Sequence, residues 1–297
     1  MSFDTASRQR LPTTAGHRRY LLDAALIFLV PVVLSAVFTL PSELKQSLGF
    51  RYTDPMLLTA FASSYVHLDL VHLSVNVVGY LLVVPATYLL SVASGARSRF
   101  FAVFATLLLV FPLVLSYLNL VFVRPTVGVG FSGVLLAFFG YMPLTMARHL
   151  DTRFDIGPER AVAPALFFAG FALIAPLSVR SVTTDRMTVY LGTAGLVVAT
   201  LLSALLFLLP AVEETRSLRR KIARASSRSG QFELGVVSAA LFIAFPFVAF
   251  PGDPTGSGTV VNLYLHVLGY ALGFTATYAT AEAIRALESR DVGNPSG

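Results

Sequence analysis

Eight apolar stretches follow one another along this chain, at roughly residues 20–40, 71–92, 100–123, 131–147, 161–179, 189–209, 234–250 and 260–283. Each approaches the ~20 residues that a helix needs to cross the hydrocarbon core of a bilayer. None shows the strict alternation of a barrel strand, so helices are expected. The 297 residues are 55% hydrophobic and 13% charged, about half the charged fraction of a soluble domain. This excludes an ordinary cytosolic enzyme, a disordered chain and a nucleic-acid-binding module. The expected fold is all-α, a polytopic transmembrane helix bundle. A membrane domain over 20–285 is expected between tails at 1–19 and 286–297.

The net charge is +6, and its placement carries topology rather than nucleic-acid affinity. With eight spans, 17 of the 22 lysines and arginines fall on the side of the two termini. The positive-inside rule then places both termini in the cytoplasm of a multi-pass cell-membrane protein. The basic, serine-rich stretch 213–231 is read as a solvated linker that enforces this topology, with anionic-lipid binding as the other reading. Cysteine is absent; disulfides, thiol catalysis and cysteine-ligated metal are therefore excluded.

Polar groups inside spans are costly and usually functional or paired. Three clusters stand out. The second span opens with His67-x4-His72-x3-Asn76, in which His72 and Asn76 share one helical face. The fourth opens with Gly130-Phe131-Ser132-Gly133, and the last carries His266-x2-Gly269-x3-Gly273. All three spans start from the outer side, so Asn76, His72, Ser132 and His266 are expected at one depth. Small residues let membrane helices approach closely. Facing stripes Gly133/Ala137/Gly140 and His266/Gly269/Gly273 would bring Ser132 within reach of a histidine base, as a serine nucleophile requires. A helix N-terminus at Ser132 offers free N–H groups to a developing oxyanion. Gly130 permits a tight turn into that helix.

The three motifs together resemble the rhomboid intramembrane serine proteases, over residues 55–150 and again across the last span. The resemblance implies a six-helix core with two additional spans. It implies a Ser132–His266 dyad and an oxyanion site formed by the Ser132 N–H, Asn76 and His72. His67, Gly130, Gly133, Gly269 and Gly273 have structural roles near the site, and Tyr141 after Gly140 matches a common pairing. The implied substrates are single-span membrane proteins cleaved near the outer face. No cofactor, metal or nucleic acid is implied, and the lipid bilayer is the other partner. Three spans separate Ser132 from His266 where the family core has one. Leu136 stands where the family often has an aromatic ring against the histidine, and Phe50-Arg51 is a loose echo of a Trp-Arg pair. Asp69 is not aimed at His266 by its spacing, and zinc ligation by His67, His72 and His266 lacks an HExxH context. An inactive rhomboid-like protein that binds transmembrane helices is the alternative. A transporter is weaker, because no paired repeat is visible.

Overall fold

The computed structural model describes residues 14–122, 126–182, 185–209, 230–251 and 262–293. Within these the fold is helical, apart from a two-residue antiparallel pairing of β1 (Phe50–Arg51) with β2 (Val127–Gly128). The basic segment 213–229 lies outside the described residues.

Each apolar stretch coincides with helix. The long helices are α1 (Thr14–Phe38), α4 (Leu70–Ala93), α7 (Ser132–Phe154), α8 (Glu159–Val182), α9 (Arg186–Leu208), α10 (Gln231–Ala249) and α11 (Leu263–Gly293). Helix α1 starts before the expected tail boundary at residue 19, and α11 continues past residue 285. Two short helices, α2 (Ser42–Ser47) and α3 (Leu57–Ala62), lie between α1 and α4.

The third stretch departs from expectation. It is not one helix but two, α5 (Arg97–Leu109) and α6 (Phe111–Leu118), meeting at 45°. Pro112 is the cause, because it has no N–H to donate to the carbonyl of Leu108 and its ring crowds that turn. The freed Leu108 oxygen accepts instead from the Tyr65 hydroxyl at 2.6 Å. The break is thus satisfied from the first inter-helix connection.

Among the described residues five helices are long and apolar enough to cross a membrane, and the bent pair makes six. Helices α7 and α11 are long enough but less apolar. Packing explains α7: nearly every residue from Gly133 to Ala147 is buried by neighbouring helices. A helix that meets protein rather than lipid can be built of glycine, threonine and serine.

Helix α7 is the axis of the bundle. It packs most extensively on α11, then on α4 and α8. Phe139 of α7 meets Phe242 and Phe245 of α10 and Tyr270 of α11 at centroid distances of 5.3, 5.0 and 5.3 Å. Helix α9 packs chiefly on α8 and is largely exposed. The bundle ends are chemically distinct. One carries Asn76, Ser132 and His266. The other carries two ion-pair clusters, Asp23 with Arg97 and Glu159 with Arg99 and Arg148.

Candidate functional site

The site begins with the crossing of α7 and α11. A methyl group on Gly269 would stand 2.3 Å from the Gly133 carbonyl oxygen, and one on Gly273 would stand 2.1 Å from that of Ala137. Only hydrogen fits at either position. The two small-residue stripes therefore face each other, and the pairing advances along both helices together, so the helices run parallel. Ser132 lies one residue before Gly133, and His266 three before Gly269. At 1.5 Å rise per residue their levels differ by about 3 Å along the axes.

Ser132 is the first residue of α7, not its cap. The cap position belongs to Phe131, which makes no side-chain capping bond. The first helical hydrogen bond runs from Leu135 N–H to Phe131 O at 3.0 Å. The N–H groups of Ser132, Gly133 and Val134 thus precede the ladder, at the positive end of the helix dipole. Gly130 enters this helix at φ +118°, a conformation that side chains disfavour. Its N–H donates to Ser63 O at 2.9 Å. A methyl group at Gly130 would meet the His72 ring at 2.5 Å, so that ring lies directly on the approach to Ser132.

Ser132 and His72 line a cavity of about 340 Å³. Phe50, Tyr52, Leu115, Asn119 and Asn262 also contribute to its wall. Neither His266 nor Asn76 is among its lining residues, and none of the lining comes from α8 or α9. The β1–β2 pairing ties the α1–α4 connection to the segment leading into Ser132.

His266 is buried, at 5% exposure. Its Nδ1 lies 2.7 Å from the Ala249 carbonyl at the end of α10. A carbonyl accepts only, so Nδ1 carries the proton and Nε2 is left as the basic nitrogen. Phe250 meets the His266 ring edge-on at 5.6 Å and 87°. Leu136 packs instead against Gly269. The aromatic contact to the His266 ring thus comes from the residue just past α10, which spacing within α7 does not reveal. No hydrogen bond joins Ser132 to His266 among the described residues.

The remaining expected residues divide. Asn76 is buried, and its Nδ2 donates to His72 O at 2.8 Å, one turn back in its own helix. Its Oδ1 is buried without a partner. His67 accepts from the Phe131 N–H at a long 3.4 Å, and its ring sits T-shaped to His72 at 5.1 Å. It lies ahead of α4, where burial, then the neighbouring His72, push its pKa down to about 3. Asp69 caps α4 by accepting from His72 N–H at 2.8 Å and is not directed at His266.

A polar chain escaped the motif reading. Asn262 accepts from Leu265 N–H at 3.2 Å, capping α11, and donates to Asn119 Oδ1 at 3.1 Å. Asn119 donates to the Tyr52 hydroxyl at 2.8 Å. The N-terminus of the His266 helix is thereby tied to α6 and to the α1–α4 connection. Asparagine just before an apolar run was the available signal for the cap. Nothing in the sequence marked Asn119 as its partner.

Comparison with protein-family models, with curated proteins and with solved structures finds no match.

Proposed function

We propose that this chain is a rhomboid-type intramembrane serine protease, with eight spans, both termini cytoplasmic and Ser132 near the outer face. One observation carries the reading. A serine at an uncapped helix N-terminus opens to a cavity, and the glycine crossing sets it level with a histidine whose Nδ1 proton is held by a backbone carbonyl. The charge count supports the orientation.

In the proposed reaction, Ser132 Oγ attacks the carbonyl carbon of a substrate peptide bond while its proton passes to His266 Nε2. The oxyanion is held by N–H groups at the start of α7, joined by the His72 ring and the second N–H of Asn76. Collapse of the tetrahedral adduct breaks the C–N bond, and His266 returns the proton to the leaving amine. Water then attacks the acyl-serine, again giving its proton to His266, and the freed serine recovers it. The Ala249 carbonyl takes the orienting place that a carboxylate holds in a triad. The Ser132–His266 hydrogen bond would form on substrate binding, as catalytic contacts often tighten only in the complex.

The test is covalent labelling of the purified protein with a fluorophosphonate or isocoumarin probe. Labelling is expected in the wild type and is lost in both Ser132→Ala and His266→Ala, while both variants remain folded in detergent. A folded wild type that resists the probe would instead favour an inactive helix-binding protein.

A further inference from the structure

A second cavity, of about 800 Å³, lies at the opposite end of the bundle between α5, α7 and α11. Three arginines from three helices converge there on one carboxylate. Arg99 and Arg148 bond the two oxygens of Glu159 at 3.0 and 3.1 Å, and Arg285 stands 3.9 Å from the first. Glu159 is only 5% exposed. One carboxylate cannot satisfy three guanidinium groups. Arg99 Nη2, Arg148 Nε and Arg285 Nε are each buried with no hydrogen-bond partner.

The other carboxylates nearby do not fill this gap. Asp151 accepts from the Glu159 N–H at 3.2 Å, and Glu282 binds Arg285 through Nη2 at 2.5 Å. Glu288 lines the cavity one helical turn beyond Arg285. Leftover guanidinium donors at a shared site call for an acceptor-rich anion, and phosphate oxygens suit arginine best.

The cavity continues beyond the arginines as an apolar groove. Ala102 and Thr106 of α5 face Ala276 and Thr280 of α11, and all four are exposed. Leu107 extends the wall two turns past Arg99, about 12 Å along the helix. Small side chains on both walls leave room for a chain. A free phosphate would leave this groove empty, whereas a lipid fills both parts.

We infer that this groove holds a phospholipid, its phosphate on Arg99, Arg148 and Arg285 and an acyl chain between α5 and α11. The wall is charge-balanced, with three arginines against Asp151, Glu159 and Glu288, so the phosphate is held through the unpaired guanidinium N–H groups rather than by net positive charge. The inference rests on the helices being in a bilayer and is independent of the protease reading.

Native mass spectrometry and thermal unfolding of the full chain in dodecyl maltoside provide the test. Phosphatidylglycerol is compared with diacylglycerol, which lacks the phosphate, and with inorganic phosphate, which lacks the chains. The expected result is one retained phosphatidylglycerol that raises Tm, with neither control doing so. Arg99→Gln combined with Arg148→Gln should weaken retention about tenfold or more. Ala102→Leu with Thr280→Leu fills the groove without touching a charge and should likewise weaken retention about tenfold or more. That pair keeps the test decisive if the arginine variant does not fold. Retention unchanged in the groove-filled protein, or equal protection by either control, overturns the assignment. Ser132→Ala should retain the lipid whether or not the serine is catalytic.

Discussion

His266 and its supports are decided by atoms that lie far apart in sequence. The Ala249 carbonyl holds Nδ1 at 2.7 Å, and Phe250 braces the ring face. On the proposed mechanism, Phe250→Ala should keep the backbone contact but free the ring to tilt. A small misplacement of a catalytic group costs up to about 10²-fold. The loss should appear in kcat with KM nearly unchanged. Equal labelling rates in variant and wild type would remove Phe250 from the site. Asn76 presents a different case, because one of its N–H groups is already bonded to His72 O. Asn76→Ala should lower turnover by about 10²-fold without abolishing it, since a single oxyanion donor is worth 10²–10³ and other donors remain. Unchanged turnover would confine Asn76 to a structural bond within α4.

The α7–α11 crossing is the element on which the site depends. Backbone contacts backbone at Gly269 and Gly273, so no side chain there is able to swing away and make room. Gly273→Leu should force the helices apart and cost about 1–3 kcal/mol, the usual range for overpacking. Tm in detergent and probe labelling should fall together. A variant that labels normally at wild-type Tm would show that the contact is not needed. The broken α5–α6 pair follows a different rule. Pro112 frees one carbonyl and Tyr65 satisfies it, so the bend is a built feature and not a weak point. Helix α9, packed chiefly on α8 and absent from the cavity wall, has no such tie to the site.

For the whole molecule, the same folding that assembles the site also buries His67. Its pKa near 3 lies well below the ordinary 6.5, so the unfolded chain binds a proton that the folded chain refuses across that interval. The contribution of His67 to stability is therefore complete above about pH 6.5 and declines as pH falls toward 3. Tm should drop on acidification from about pH 8 to pH 5, and His67→Gln should flatten that slope. An equal slope in the variant would assign the acid sensitivity elsewhere. At the opposite end, Glu159 joins α5, α7 and α8 through arginines, closing the bundle where the site is absent. Much of this was legible beforehand. Hydropathy located the long helices but not the short α2 and α3, because desolvating backbone in lipid leaves helix as the outcome, and glycine spacing marked the surfaces of α7 and α11 that meet. Ser132, His72 and His266 were visible because polar residues in apolar runs are conspicuous. Invisible were the bend at Pro112, the Asn262–Asn119–Tyr52 chain, the Phe250 brace and the arginine cavity. Each depends on which helices become neighbours, and that is set by long-range packing rather than by any local run of residues. Local chemistry in the sequence determined what each segment is, and only tertiary packing decided which segment completes another's hydrogen bonds.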